Sequence, residues 1–296
     1  MTNTSVGEAK QLIGMVIPDG TNQFFSTVAQ AFQKRLNSRG YAMVVLYSDG
    51  SLSRELAHLD LLQRLEICGL VMISVGEHGE AFRRLRDFNA AILVLDREIP
   101  HENADFVMID NAVGSELAVR HLHGLGHRRL GYVTGSLQTQ PGRERRDGAV
   151  ETAEHLGVAI KNSHMVEGDF QVGSGLIAAD HFLSLPGSDR PSAIMCANDL
   201  MAFGLMSRLQ AGGVSIPEDI SVLGYDDVPM SSLVYPNLTS IRQDPNEIAL
   251  EGCALLMSRV DADAAGAGLP DRRVRVIQPR LMTRSSTAEN RPLEGR

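Results

Sequence analysis

The sequence predicts an α/β protein made of two similar, doubly wound, parallel-sheet lobes. Three observations predict this class: short continuous apolar runs, helix-patterned stretches between them, and a second series of the same kind later in the chain. Strands that are apolar along their whole length indicate a parallel sheet covered by helices on both faces. The length of 296 residues is also large for one hydrophobic core, which favours two domains.

The predicted elements follow one another in two series. The first series contains strands at 12–17, 42–47, 69–74, 90–95 and 106–109. An apolar stripe at helical spacing (Phe25, Val28, Ala29, Phe32 and Leu36) predicts a helix after the first strand. The second series contains strands at 130–133, near 165, at 193–197 and at 220–225. After a strand at 239–243, one more long helix and a last strand at 273–278 require the chain to cross between the lobes more than once.

Composition and charge exclude several classes of protein. The net charge of −8 argues against this chain wrapping a phosphate backbone, because non-specific nucleic-acid binding needs a basic surface. No apolar segment has the length of a signal peptide or a membrane span, so we expect a soluble cytoplasmic protein. The cysteines Cys68, Cys196 and Cys253 are odd in number and widely separated, which predicts buried, inert thiols.

Polar residues follow several predicted strands, at the edge where open α/β sheets bind ligands. Two such lobes facing each other would form a hinged cleft. Asn22 is a predicted helix cap. Phe25 fits the buried stripe of the following helix, which leaves Phe24 to face the cleft as a stacking platform. Asp110 and Asn111 end a strand and open a helix, where capping explains either residue at least as well as binding.

The run GRERRDG places Arg143, Arg145 and Arg146 at a predicted helix start. The helix dipole disfavours cations there, which indicates an external anion or hydroxyl cluster, with surface exposure as the alternative.

Two pairs of adjacent polar residues, Asn198–Asp199 and Asp226–Asp227, follow later predicted strands. Either Asn198 or Asp199 must cap the next helix, and the other can face the cleft. Asp226 and Asp227 leave a strand together, which is costly unless a ligand hydroxyl or an arginine across the cleft pairs with them.

Markers of common enzyme classes are missing from the sequence. It contains no GxSxG elbow and no GxxxxGK[ST] phosphate loop, and residues 124–129 lack the third glycine of a dinucleotide fingerprint. His121, His123 and His127 resemble a metal site only in composition, because residues two apart on a helix face different sides. We therefore predict no catalytic residue, no cofactor and no metal.

Four segments together resemble the lactose-repressor (LacI) and purine-repressor family of bacterial transcription factors. They are IPDGTNQFFSTVAQAFQKRLNSRGY, GHRRLGYVTG, GRERRDG and the long stretch from Cys196 to Ala249. The resemblance runs from about Gln11 to Thr287. It implies a core like type I periplasmic binding proteins, with three crossovers near Gly126, Gln243 and Arg272. The lobes would comprise 11–125 with 243–268 and 126–242 with 269–287, between a linker remnant at 1–10 and a disordered tail at 288–296.

The resemblance also implies a binding site and a function. Arg145 would clamp the effector, Asn198 would contact it, and Asp226 would accept its hydroxyl groups. Phe24, Asp110 and Gln243 occupy further matching pocket positions. The implied protein is a homodimer without enzymatic activity whose closure over a sugar, polyol or nucleobase-like metabolite alters operator binding. Induction and co-repression both remain open, as do dimer and tetramer.

Family members usually carry a helix-turn-helix headpiece, whereas about ten residues precede Leu12 here. This chain would thus reach operator DNA only through an absent headpiece, and trimming to the sensor core is favoured over a natural lack. The alternative function is a stand-alone solute-binding protein for transport or chemosensing, although no signal peptide is present. A hydrolase or lyase on this scaffold lacks a defensible nucleophile or acid/base pair.

Overall fold

A computed structural model describes residues 11–74, 79–86, 88–99, 101, 103–266, 268 and 270–290. The chain divides into two compact units, one formed by the residues up to Met108 with Pro245–Ile277, the other by Ile109–Asp244 with the residues from Gln278 onward. Each unit is built on a six-stranded sheet accompanied by helices. The predicted fold class is confirmed.

The first unit arranges its strands in the order β11-β5-β4-β3-β1-β2, and β1 to β5 pair in parallel. The inner strands are buried, as their apolar sequences predict, whereas β2 at the sheet edge is half-buried. The elements are β1 (Leu12–Ile17), α1 (Gln23–Asn37), β2 (Ala42–Tyr47), α2 (Leu52–Arg64), β3 (Gly69–Met72), α3 (Gly79–Arg86), β4 (Ala91–Leu95), β5 (Ala104–Ile109), α8 (Pro245–Ala264) and β11 (Val274–Ile277).

The second unit repeats the plan in the order β12-β10-β9-β8-β6-β7, and only β12 runs antiparallel to its neighbour among the pairs of this sheet. The elements are α4 (Asn111–Gly124), β6 (Leu130–Thr134), α5 (Gln140–His155), β7 (Met165–Glu167), α6 (Val172–Ser184), β8 (Ala193–Cys196), α7 (Asp199–Ala211), β9 (Ser221–Asp226), β10 (Thr239–Arg242) and β12 (Arg280–Met282). Short 3₁₀ turns lie at Asn162–His164 and Pro229–Ser232.

The lobe boundaries expected from the sequence are shifted in the structure. The chain passes between units after Asp244, next to the crossover expected near Gln243. The other two passages lie after Met108 and after Ile277, instead of near Gly126 and near Arg272. The largest shift concerns α4, which was expected in the first lobe. This helix packs against α5, β10 and β12, and therefore belongs to the second unit. Strand β11 lies at the edge of the first sheet, although 269–287 was expected in the second lobe.

Residues 288–290 are ordered, although the sequence predicts a disordered tail at 288–296. Ala288 accepts a hydrogen bond from Nε2 of His127 at 3.1 Å, and the backbone amide of Asn290 donates to the carbonyl of Leu125 at 2.7 Å. Residues 288–290 are thus bound to the second unit. The rest of the predicted tail, 291–296, and the predicted linker at 1–10 lie outside the described residues.

The thiols agree with the sequence in two of three cases. Cys196 and Cys253 are buried, whereas Cys68 is half-buried, and all three are free. Burial raises the pKa of each thiol, for Cys253 to about 11. Over the described ranges, no helix is both long and apolar enough to cross a membrane, and no three His, Cys, Asp or Glu side chains group as a metal site would require.

Candidate functional site

Five of the six predicted site residues belong to the second unit. Of these, Arg145, Asp226 and Gln243 are in direct contact at the carboxyl ends of the strands. Together with Asn111 and Tyr225 they form a buried group that we call the Arg145 cluster. The sheet brings them together because β9 and β10 are parallel neighbours, with Asp226 opposite Arg242.

Arg145 is held on several sides. Its Nε donates to Oδ1 of Asn111 at 2.8 Å, and its Nη1 donates to the carbonyl of Ala197 at 2.7 Å. The guanidinium carbon lies 3.9 Å from the centre of the Tyr225 ring, a cation–π contact that is strong where water is excluded. Arg145 itself is buried. Of the three arginines of GRERRDG, this one alone is fully buried.

The other two arginines of that run serve local contacts. Nη1 of Arg143 donates to the carbonyl of Leu137 at 3.1 Å, and Arg146 pairs with the neighbouring Asp147. The helix does begin where the sequence indicates, because the side chain of Thr139 caps α5. Of these three arginines, Arg145 is therefore the one for which we keep the prediction of an external anion or hydroxyl partner.

Asp226 pairs with an arginine, as the sequence predicts, but this arginine, Arg145, belongs to the same unit. Oδ1 of Asp226 lies 3.6 Å from Nη1 of Arg145 and accepts a hydrogen bond from Nε2 of Gln243 at 2.5 Å. Asp227 is paired separately with Arg242 and Arg284. Both aspartates have positive φ angles, 108° and 55°. Such backbone strain costs about 1–3 kcal/mol per residue and concentrates at functional sites.

Gln243 leaves one polar atom unpaired. Because its amide nitrogen donates to Asp226, the orientation of the amide is fixed, and Oε1 is the remaining atom. This oxygen is buried and has no hydrogen-bond partner. A buried unsatisfied acceptor costs about 1–3 kcal/mol and is a place where a bound donor is expected.

The pair Asn198 and Asp199 divides its roles differently from the prediction. Asn198 caps α7, accepting from the amide of Met201 at 3.0 Å, and its Nδ2 donates to the carbonyl of Phe170 at 2.8 Å. Asp199, expected to be free for the cleft if Asn198 capped, is completely buried inside the second unit. It accepts from Oγ of Ser231 and of Ser240, both at 2.6 Å, while burial raises its pKa to about 7.

The pair after β5 also has a capping member. Asp110 accepts from the amide of Val113 at 3.1 Å as the cap of α4, and its other oxygen lies 3.4 Å from Nε2 of Gln278. Asn111 is buried in the Arg145 cluster and was not among the predicted site residues. Its position directly after Asp110 at the end of a strand was the available signal.

Phe24 is the predicted site residue that belongs to the first unit. Asn22 caps α1 as expected, by accepting from the amide of Phe24 at 2.9 Å. The burial of the two rings is the reverse of the expectation, because Phe24 is buried and Phe25 is half-buried. The rings pack edge to face with centres 5.5 Å apart. Phe24 stays a predicted ligand contact.

Comparison with known proteins places the chain in a family. Residues 119–287, more than half of the chain, match the family model described as periplasmic binding protein-like domain. The chain is 29% identical over 276 residues to the HTH-type transcriptional repressor PurR of Vibrio vulnificus, covering 93% of this chain and 80% of that protein. It is also 29% identical over 275 residues to the ribose operon repressor of Escherichia coli, covering 93% and 81%.

Solved structures agree with these relatives. A LacI family transcriptional regulator from Enterococcus faecium, crystallised with bound ribose, superposes with a TM-score of 0.83 at 25% identity, covering 95% of this chain and 100% of the other. The chain therefore belongs to the periplasmic-binding-protein-like domain family, and within it corresponds to the effector-binding core of LacI- and purine-repressor-type transcriptional regulators.

Proposed function

We propose that the Arg145 cluster binds a neutral, polyhydroxylated metabolite such as a sugar, and that this binding controls a LacI-type transcriptional regulator. The observation that carries the proposal is the buried, unpaired Oε1 of Gln243 beside the Asp226 carboxylate. Both groups are acceptors, so they favour a ligand that offers hydroxyl or N–H donors. Binding, rather than turnover, is the proposed activity.

The charge of the cluster favours a neutral effector over an anionic one. The guanidinium of Arg145 is accompanied by the Asp226 carboxylate at 3.6 Å, and both side chains are buried. Glu144 adds a further carboxylate through Asn111. A phosphate or carboxylate ligand would meet this negative charge at low local dielectric, which costs several kcal/mol for like charges in close contact.

The relatives support a sugar without deciding which one. One relative is named a ribose operon repressor, and one similar structure holds ribose. Ribose carries adjacent hydroxyl groups that can donate and accept at once. In this proposal Phe24, Asp110 and Asn198 remain further candidate contacts, and a purine remains the competing effector because other relatives are named PurR.

The regulator is proposed to act in the cytoplasm as a homodimer that reaches operator DNA through a headpiece outside the described chain. One apolar surface of the second unit supports the self-association. It consists of Met230, Leu233 and Tyr235 beside a groove of about 270 Å³ lined in part by Phe203 and Val234. Leu233 is 74% exposed and Tyr235 is 90% exposed. A cluster of exposed apolar side chains is typical of a surface that binds another protein.

A solute-binding protein for transport or chemosensing is the second candidate, since the family model describes a periplasmic binding protein-like domain. That function needs the same sugar site but no coupling to DNA. Operator binding that changes with the sugar, measured on the chain joined to a headpiece, favours the regulator. Sugar binding without any such change favours the solute-binding protein.

Isothermal titration calorimetry with D-ribose, cellobiose, ribose 5-phosphate and hypoxanthine tests the effector class. We expect a neutral sugar to bind, and Asp226→Asn and Gln243→Leu to weaken its binding by at least about tenfold, the effect of losing one hydrogen bond to a charged or buried group. Asp180→Asn, an exposed partner of Arg208, is the matched control. Binding of the phosphate alone, or unchanged sugar affinity in both site variants, would contradict the proposal.

A further inference from the structure

Asn111 is the residue that links the helix after β5 to the Arg145 cluster. It is the first residue of α4, yet its side chain is buried in the second unit instead of facing solvent. Asn111 does not cap the helix, because the side chain of Asp110 is the N-cap of α4. The amide of Asn111 is therefore available for contacts other than helix capping.

Each polar atom of the Asn111 side chain is used in the cluster. Oδ1 accepts from Nε of Arg145 at 2.8 Å and from Oη of Tyr225 at 3.3 Å. Nδ2 donates to Oε2 of Glu144 at 2.9 Å. Oε1 of Glu144 accepts in turn from Nε2 of Gln140 at 2.6 Å. Glu144 and Gln140 thus determine which way the amide points, with its oxygen toward Arg145.

The backbone around Asn111 allows this close approach only with glycine at two positions. A Cβ on Gly114 would lie 2.2 Å from Oη of Tyr225, and a Cβ on Gly148 would lie 2.8 Å from Cα of Ala112. Both distances are shorter than van der Waals contact. The packing of α4 on Tyr225 and on α5 is therefore tight where it holds the Asn111 amide.

Three of the contacts of Arg145 define the plane of its guanidinium. Asn111 holds Nε, the carbonyl of Ala197 holds Nη1, and the Tyr225 ring lies 3.9 Å from the guanidinium carbon. An arginine side chain that is free to rotate loses rotamer entropy when it binds a ligand. A guanidinium held in advance avoids most of that loss, and small displacements of a supporting residue then weaken binding.

We propose that Asn111 and Glu144 are a positioning pair, which fixes the guanidinium of Arg145 through the Asn111 amide and so sets the affinity of the effector site. The inference rests on the proposed function for its effect on affinity, but not for the positioning itself. Neither residue is proposed to touch the effector. The pair acts through the hydrogen bond between the side chains of Asn111 and Glu144, which keeps the Asn111 oxygen directed at Arg145.

The direction of this hydrogen bond can be reversed without changing the charge of the pair. Asn111→Asp keeps an acceptor for Arg145 but sets two carboxylates against each other at the position of a 2.9 Å hydrogen bond. Adding Glu144→Gln restores a donor and an acceptor, because the new amide can donate to the new carboxylate. The double substitution therefore separates a positioning role from general tolerance of polar residues.

The positioning is read without any effector, by hydrogen exchange of the Arg145 Nε–H in the full chain labelled with ¹⁵N-arginine. The resonance is assigned by its loss in Arg145→Lys. Asn111→Ala removes the acceptor of the Arg145 Nε–H, and in Asn111→Asp repulsion from Glu144 moves the new carboxylate out of position. We expect both variants to speed the exchange by about ten- to a hundredfold, the effect of losing a hydrogen bond to a charged group. The double variant Asn111→Asp/Glu144→Gln should return it to within about threefold of the original.

Glu151→Gln, an exposed change on the same helix, is the control and should leave the exchange unchanged. Exchange in Asn111→Ala as slow as in the original protein, or a double variant no slower than Asn111→Asp, would overturn the pair. D-ribose titrated into the same variants adds the affinity readout. Restored exchange with no ribose binding in any variant upholds the positioning and contradicts ribose as the effector.

Discussion

At the scale of single residues, buried charges in this protein are held by several partners at once. Asp105 on β5 is completely buried and accepts two hydrogen bonds from Arg259, at 2.8 and 2.9 Å, and one from Nη2 of Arg273 at 2.6 Å. Burial alone would raise the pKa of Asp105, but the arginine hydrogen bonds outweigh it and lower the pKa. The carboxylate joins β5 to α8 and to the residue before β11.

Asp105→Ala should therefore lower the free energy of unfolding by about 3–5 kcal/mol, because it leaves a fully buried Arg259 without its carboxylate. Asp60→Ala, which removes an exposed partner of Arg84 in the same unit, should cost at most about 1 kcal/mol. Urea unfolding followed by circular dichroism measures both. Equal losses in the two variants would show that burial does not control the contribution of the pair.

At the scale of elements, the segment after β12 is ordered by long-range hydrogen bonds and not by any periodic pattern. Oγ of Ser286 donates to the carbonyl of Val222 at 2.6 Å and accepts from the amide of Thr239 at 2.8 Å. The imidazole of His127 lies between Ser192 and the carbonyl of Ala288. Composition alone made this segment look disordered from residue 288, because the hydrogen bonds that order it join residues far apart in sequence.

His127 makes this segment sensitive to pH. Burial lowers the pKa of His127 below its usual 6.5, so the folded protein binds a proton less readily than the unfolded chain. The stability from this site is complete above pH 6.5 and is lost as the pH falls toward the lowered pKa. We expect the midpoint temperature of thermal unfolding to decrease as the pH is lowered from 7.5 to 5.5, and to decrease less in His127→Gln. His155→Gln, on an exposed position of α5, should keep the full pH dependence.

The pair of rings at the start of α1 shows where sequence patterns stop being decisive at this scale. Both Phe24 and Phe25 are three or four residues before Val28 or Ala29, so either fits the buried stripe. The structure buries Phe24 on a helix that packs against α8, which lies more than two hundred residues later in the chain. The same argument applies to Asn198 and Asp199, where local rules require one cap but cannot select it.

At the scale of the whole molecule, the sequence determines much more about the sheets than about how the chain is shared between them. Strand positions follow from local apolar runs, and β1 and β2 agree residue by residue with the prediction. The assignment of α4 depends on its contacts with α5 and β12, which no local pattern encodes. Motifs pointed to Arg145 and Asp226 as candidate site residues, and the structure brings these two together. Asn111 has no such motif, because its contacts are with Glu144 and Tyr225, which lie far away in the sequence.

At this scale we also expect self-association through the exposed apolar surface at Leu233 and Tyr235. Leu233→Glu should leave folding unaffected, because this side chain is 74% exposed within the chain. In a homodimer that buries this surface, the same change would desolvate a carboxylate and shift the protein to monomers, a cost of several kcal/mol. Sedimentation velocity measures the shift. Leu250→Glu, on the half-exposed face of α8 in the first unit, is the matched control and should keep the dimer. If both variants sediment as the original protein does, copies of the chain do not associate through this surface. The apolar groove beside Tyr235 would then bind a different partner.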